Sequence, residues 1–466
     1  MPGTEPSPSA YPRNHPLCAP SHAVAVVGGG VAGSEAASLL ASHGVLVVVF
    51  EQNTRPYGKI EDGLPRWHVA LRRQEYERID RNLDHPLVLF VPRTRLGHDV
   101  GVHELVREWG FSGVVLAHGA WRDRPIPVPG IESYDGRGLV YQNPLVYWFN
   151  HCLEEGFEGP SYEIPDGTIV VGGGLASIDV VKILNLELYA RALRARGIGA
   201  DLLEMERSGI PAVLARHGLN PENLGVRGCT LFYRRRKRDM SLASAPPGAT
   251  PEQLRKTESI REKIMDLCAR KYLVRLEECL TPAATLVAGD RLVGLRFRRT
   301  ELLGERFVEI PGSERDVHAP LTVGSIGSIP EPIDGIPLDG ELYRWSDHET
   351  GELADVPGVF GLGNVLTGKG NIKESRANAR KVMDRMIEAY LGLGANGAAT
   401  GDIVASLHDA ARSAIGPLAR NVAERPRLDA ARLNRLVARV RSRWTVVGYT
   451  GDYRAWLARF PPFDRR

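Results

Sequence analysis

Two glycine loops about 140 residues apart constrain this 466-residue chain more than any other feature. In the first, the apolar run Val24 to Val27 meets glycines at 28, 29, 30 and 33, and Ser34 to Ala41 suits a helix. In the second, Ile169 to Val171 meet Gly172, Gly173 and Gly174, and Leu175, Ala176 and Ser177 open a helical stretch. A buried strand, a glycine turn and a helix in that order leave unpaired N–H groups and a positive dipole end facing any phosphate at the turn. Gly28 permits the tight turn, Gly30 lets the backbone approach a pyrophosphate, and Gly33 lets helix and strand pack closely. Two such loops predict an α/β chain with two Rossmann-like dinucleotide-binding domains, and hence two nucleotide cofactors.

The residues beyond each loop distinguish the two ligands. A second apolar run, Val45 to Phe50, ends at Glu51, 18 residues after Gly33, where an acid binds ribose hydroxyls. The strand after the second loop, from Thr230, ends in Arg234, Arg235, Arg236, Lys237 and Arg238. A guanidinium there pairs with a 2′-phosphate that an acid would repel, so this site favours NADP, with Arg234 and Arg235 foremost. Ser177 takes the third glycine position, so helix and strand are expected slightly farther apart.

Composition excludes several classes. A net charge of +3 carries no global nucleic-acid signature, and no apolar run is long enough to span a bilayer. Residues 1–22, rich in Pro and Ser, lack the apolar core of a signal peptide, so a disordered tail and a cytoplasmic location are expected. Cys18, Cys152, Cys229, Cys268 and Cys279 form no CxxC pair. Reduced, inert thiols are expected, with no dithiol centre and no metal site.

The order of segments suggests that one unit interrupts the other. A turn-rich loop (Arg55 to Val69), a charged helix (about 71–83) and apolar strands near Pro86–Val91 and Ser112–Ala120 complete a first unit. The Pro-rich stretch Arg122 to Ile131 reads as a crossing. The second unit starts near Leu139 and carries a long helical insertion (about Leu186 to Arg227), a helix near Glu258–Arg270 and a strand at Arg291–Thr300. Leu321 to Leu338 reads as the return crossing, and Val356 to Met383 as a strand, glycine turn and helix closing the first unit. In the Arg-rich segment beyond about 395, Leu433, Leu436, Val437 and Val440 fall at helical spacing and predict an amphipathic helix on the body, with partner docking as the alternative.

Residues 23 to about 390 resemble the adrenodoxin-reductase-like branch of two-dinucleotide flavoproteins, which includes NADPH–ferredoxin reductases and the glutamate synthase small subunit. The first loop with Glu51 resembles the FAD fingerprint, Pro56-Tyr57-Gly58 the turn beside the flavin, and Ala117-His118-Gly119-Ala120 the turn closing the FAD domain, with His for the usual Thr. Gly209 to Leu219 and Tyr233-Arg234-Arg235 are similar to the branch's NADP domain, and Gly363-Asn364 with Gly370-Asn371-Ile372 to its final flavin turn and helix. The resemblance implies an FAD site of Gly28, Gly30, Ala32, Gly33, Glu51, Gln52, Gly58, Lys59, Thr94, Ala117, His118, Gly119, Gly363, Asn364, Gly370 and Ile372. It implies an NADP site of Gly172, Gly174, Leu175, Ala176, Ser177, Arg234 and Arg235. The chain departs from the pattern at Asn364, at the charged Lys59-Ile60-Glu61-Asp62 and at Pro65-Arg66-Trp67-His68, where His68 is the candidate catalytic residue.

The implied layout is a tail (1–22), a discontinuous FAD domain (23–135 and 326–394), an inserted NADP domain (136–325) and a helical extension (395–466). The implied activity is electron transfer from NADPH through FAD to a ferredoxin-type carrier. Arg191, Arg194, Arg196 and the cluster at 236–238 are candidates for docking that carrier. The altered loop from Lys59 to His68 keeps open a tailoring oxidoreductase or monooxygenase acting on a small molecule. A non-catalytic flavin-binding subunit is the alternative outside enzymes. Oligomeric state is not legible.

Overall fold

The computed structural model describes residues 22–245, 248–304, 306–347, 351–367 and 427–465, together with 20, 412, 415, 418 and 422. Gly370, Ile372, Cys18, most of the N-terminal tail and the helix expected after Gly370 lie outside the described residues.

Two parallel sheets organise the chain. The first contains seven strands in the order Trp345–Asp347, Glu352–Leu353, Val359–Gly361, Gly113–Leu116, Ala23–Val27, Leu46–Phe50 and Val88–Val91. The last five run parallel, and the first two are added antiparallel as a short meander. Strands covered on both faces read as continuous apolar runs, which is why AVAVV and LVVVF are buried throughout. The helix Val31–Ser42 covers one face and packs on the helix Val69–Leu83.

The second sheet lies wholly within the middle of the chain. Its order is Leu139–Tyr141, Thr322–Ser325, Ile169–Gly172, Thr230–Tyr233 and Arg275–Glu278, all parallel. The fold is therefore α/β, with one Rossmann-like unit inserted into another. The expected return crossing is corrected at its start. Thr322–Ser325 is a fully buried strand at the second position of this sheet, so the return begins at Ile326. Pro330, Pro332, Gly335 and Pro337 mark a linker, but the strand Thr322–Ser325 ahead of them belongs to the sheet. The two crossings pair with each other through antiparallel Arg122–Asp123 and Ser328–Ile329. An antiparallel sheet of four strands (280–318) packs beside the second unit, where Phe297 stacks on Phe232 at 4.2 Å.

The helix that opens at Leu175 runs on into the expected helical insertion as one 20-residue helix Leu175–Arg194, followed by Leu202–Ser208, Ile210–Arg216 and Pro221–Leu224. In the extension, helix Ala430–Val447 buries Leu433, Leu436 and Val440 in the same cluster as Leu105, Trp109 and Leu116. At roughly 1.5–3 kcal/mol per buried side chain, this face docks the helix firmly on the first sheet.

Candidate functional site

The carboxyl ends of the first sheet open into a cleft lined by the first glycine loop and by five further segments of the chain. Gly28 adopts φ +97°, and a Cβ there would lie 2.7 Å from Ala117 O and His118 Cα. A Cβ on Gly33 would meet Gly28 O at 1.8 Å, so only glycine lets the helix start so close to the strand. At Gly30 a Cβ would meet nothing within 4 Å. That open space beside bare backbone at a helix N-terminus fits a pyrophosphate.

Glu51 sits at the end of its strand with 4% exposure. Its carboxylate accepts N–H bonds from Gly29 and Asn53, both at 2.8 Å. Burial pushes it up to about 7, against those two N–H groups, which favour the ionised form. The result is a carboxylate held rigidly on the cleft wall and ready to accept from a diol.

At the Ala117-His118-Gly119 turn, His118 Nε2 lies 3.1 Å from Tyr343 Oη, which donates its own proton to Glu331 O at 2.6 Å. Nε2 is therefore the protonated nitrogen. Nδ1, buried and without a partner among the described residues, is an acceptor awaiting a donor. Burial holds the imidazole down at about 4, so it is neutral. Open backbone, a buried carboxylate and an unused acceptor within one cleft fit a dinucleotide such as FAD.

Lys59 also lines the cleft. Its ammonium donates to Asn143 Oδ1 at 2.7 Å and lies 4.9 Å over the Trp121 ring. Burial lowers its pKa, and the nearby Asp123 and Asp62 carboxylates oppose that. Behind it the charged loop closes on itself. Arg55 grips Glu61 through two nitrogens, and His151 bridges Asp62 and Glu154. Burial pulls His151 down, but the bonds to those two carboxylates outweigh it and raise it to about 9.

Of the described residues expected to hold FAD, only Gly33 does not line the cleft; it lies beneath the loop against Gly28. His68 does not line it either. It precedes the helix Val69–Leu83, beside Trp67, which packs with Phe149, and its Nε2 is buried without a hydrogen-bond partner among the described residues. Burial and the Lys182 charge hold it down to about 3. Sequence reasoning missed Tyr343 and Glu331, which fix the tautomer of His118, and Ile333 and Trp121, which complete the walls. Residues 225 positions apart share no local signal.

The second glycine loop is built differently. Ser177 Oγ donates to Ser325 O at 2.8 Å and accepts from Gly174 N at 3.3 Å, so the hydroxyl ties the helix to the adjoining strand. Gly173 lies against the Tyr233 ring, where a Cβ would come within 2.1 Å, and its carbonyl accepts from Ser241 N. The arginine loop thus folds against the glycine loop. Arg236 is bound by Asp239 at 2.7 and 2.9 Å and Lys237 by Asp266 at 2.7 Å. Arg234 and Arg235 are exposed and make no ion pair among the described residues. Among the described residues, Cys152, Cys229, Cys268 and Cys279 form no disulfide.

These features define a two-dinucleotide oxidoreductase. Residues 22–186 match the family model of the pyridine nucleotide-disulphide oxidoreductases. The chain is 25% identical over 390 residues to the mitochondrial NADPH:adrenodoxin oxidoreductase of Arabidopsis thaliana, covering 74% of this chain and 77% of that protein. It is 26% identical over 381 residues to the glutamate synthase [NADPH] small chain of Mycobacterium tuberculosis, covering 77% and 66%. With that organism's probable ferredoxin/ferredoxin–NADP reductase it shares 27% over 371 residues, covering 74% and 60%. The structure of Mycobacterium tuberculosis FprA in complex with NADPH has the same fold, with a TM-score of 0.56 and 20% identity over 90% of this chain and 99% of that one. The chain is similar to the adrenodoxin-reductase-like flavoproteins, and FAD and NADPH are its cofactors. Among the described residues, no helix is long and apolar enough to cross a membrane.

Proposed function

We propose that this chain oxidises NADPH and delivers the electrons to a ferredoxin-type one-electron carrier. The observation that carries the reading is the pairing of two unlike nucleotide sites: a ribose-type acid on the first sheet and a free arginine pair on the second. FAD, when bound, accepts two electrons as hydride and releases them singly, which is the chemistry a one-electron acceptor needs. The relatives named as adrenodoxin and ferredoxin reductases support the same acceptor class.

In this reading, 23–135 with 326–394 is the FAD domain and 136–325 the NADP domain. Glu51 holds the ribose hydroxyls, Gly28 and Gly30 the pyrophosphate, and His118 Nδ1 accepts from a cofactor donor. Lys59, Gly363 and Asn364 line the same cleft, with Gly363 against Ala32 of the glycine loop. Arg234 and Arg235 hold the 2′-phosphate while Leu175, Ala176 and Ser177 start the helix beneath the pyrophosphate. Arg191, Arg194 and Arg196 bond neighbouring carbonyls and have no carboxylate in an ion pair among the described residues. Their charge steers an acidic carrier more than it adds affinity.

Anaerobic mixing of the FAD-loaded protein with NADPH tests the reading. The flavin absorbance bleaches rapidly, and cytochrome c reduction then requires added ferredoxin. Bleaching without ferredoxin-dependent turnover would shift the assignment to small-molecule oxidoreduction. No bleaching would remove the enzymatic reading.

A further inference from the structure

The C-terminal helices reach behind the cleft at two places, and both places flank Glu51. From helix Ala430–Val447, Arg443 Nε donates to Thr94 Oγ1 at 3.0 Å and Nη2 to Arg93 O at 3.4 Å. Asp99 anchors the same guanidinium at 2.7 Å. From helix Tyr453–Arg459, Trp456 Nε1 donates to Thr54 O at 2.8 Å.

These contacts fall on the two loops that frame the carboxylate. Thr94 N donates to Glu51 O at 2.8 Å, and Asn53, next to Thr54, supplies the N–H to Glu51 Oε1. The loops are also stitched to each other. Arg93 Nε donates to Thr54 Oγ1 at 3.0 Å, and the Arg93 guanidinium lies 5.3 Å from the Trp456 ring and 4.9 Å from Phe460. Arg93 holds φ +51°, a conformation that a non-glycine residue keeps only when its surroundings impose it.

We propose that the C-terminal extension is a positioning element of the FAD site: Arg443 and Trp456 lock the 53–54 and 93–94 loops and so hold Glu51 and the cleft wall in the shape that binds FAD. This rests on the reading of the cleft as the FAD site. Without the two donors, two carbonyls and one hydroxyl lose partners, the loops gain freedom, and ordering them becomes part of the cost of binding.

The test uses the full chain carrying Arg443→Ala with Trp456→Phe, stripped of flavin and titrated with FAD by fluorescence. The FAD Kd rises at least about tenfold, while the NADPH Kd stays within about twofold of wild type and the apoprotein still unfolds in one cooperative urea transition. Arg443→Lys, which still donates to Thr94, recovers much of the loss. Trp456→Phe alone keeps the ring packing and shows a rise of about threefold, which serves if the double variant does not fold. An unchanged FAD Kd in the variants overturns the proposal. So does a loss of FAD and NADPH affinity together with a lowered urea midpoint, which would make the extension scaffold only. A wild-type protein that binds no FAD refutes the cofactor-site reading instead.

Discussion

FAD affinity is expected to depend on pH through Glu51. An isolated glutamate carboxyl titrates near 4.5, whereas burial lifts Glu51 to about 7 in the ligand-free protein despite the Gly29 and Asn53 N–H groups. A ribose diol donates two O–H bonds and is best met by the ionised group, so binding selects the carboxylate. Below pH 7 the apoprotein must release a proton before it binds. With half-ionisation at about 7, the ionised fraction falls roughly tenfold from pH 8 to pH 6, and the FAD Kd rises by about the same factor. The stability of the apoprotein moves the other way. Between about 4.5 and 7 the folded state holds a proton that the unfolded chain has lost, so stability falls as pH rises through that window, by about 3 kcal/mol in all. Fluorescence titrations at pH 6, 7 and 8, with calorimetry in two buffers of different ionisation enthalpy, measure both the slope and the proton released. Glu51→Gln should bind more weakly at pH 8 and show a flat profile. A wild-type Kd constant within twofold across this range, or a Glu51→Gln variant that keeps the slope, would refute the reasoning.

Two further outcomes follow from the geometry. Arg234→Ala combined with Arg235→Ala should raise the KM for NADPH at least about tenfold, since charge-assisted bonds to phosphate are each worth ~1.5–3 kcal/mol, and leave the KM for NADH nearly unchanged. Equal effects on both nucleotides would remove these arginines from the 2′-phosphate. Gly33→Ala forces a methyl to within 1.8 Å of Gly28 O, so the apoprotein should lose about 2 kcal/mol or more in urea unfolding; an unshifted midpoint would contradict the close helix–strand approach.

Much of the fold was legible because it rests on local rules. Apolar β-branched runs followed by glycines mark strand, turn and helix, and Val24–Val27 and Ile169–Val171 each occupy a buried position in a parallel sheet. The start of the return crossing, read at Leu321, differs for a related reason. Proline and glycine spacing after Ile326 signals a linker, but a four-residue central strand such as Thr322–Ser325 is too short to show any periodicity.

By itself the sequence determined where the chain turns and which residues can turn it, since a glycine at φ +97°, or one whose added Cβ would fall 1.8 Å from a nearby carbonyl in the same loop, is a local steric requirement. Tertiary structure alone decided what those turns face. Tyr343 orients His118, Asn143 receives Lys59, and Arg443 and Trp456 brace the loops around Glu51. Such contacts join residues 84 to 402 positions apart, and their energy depends on geometry that no local pattern of residues encodes.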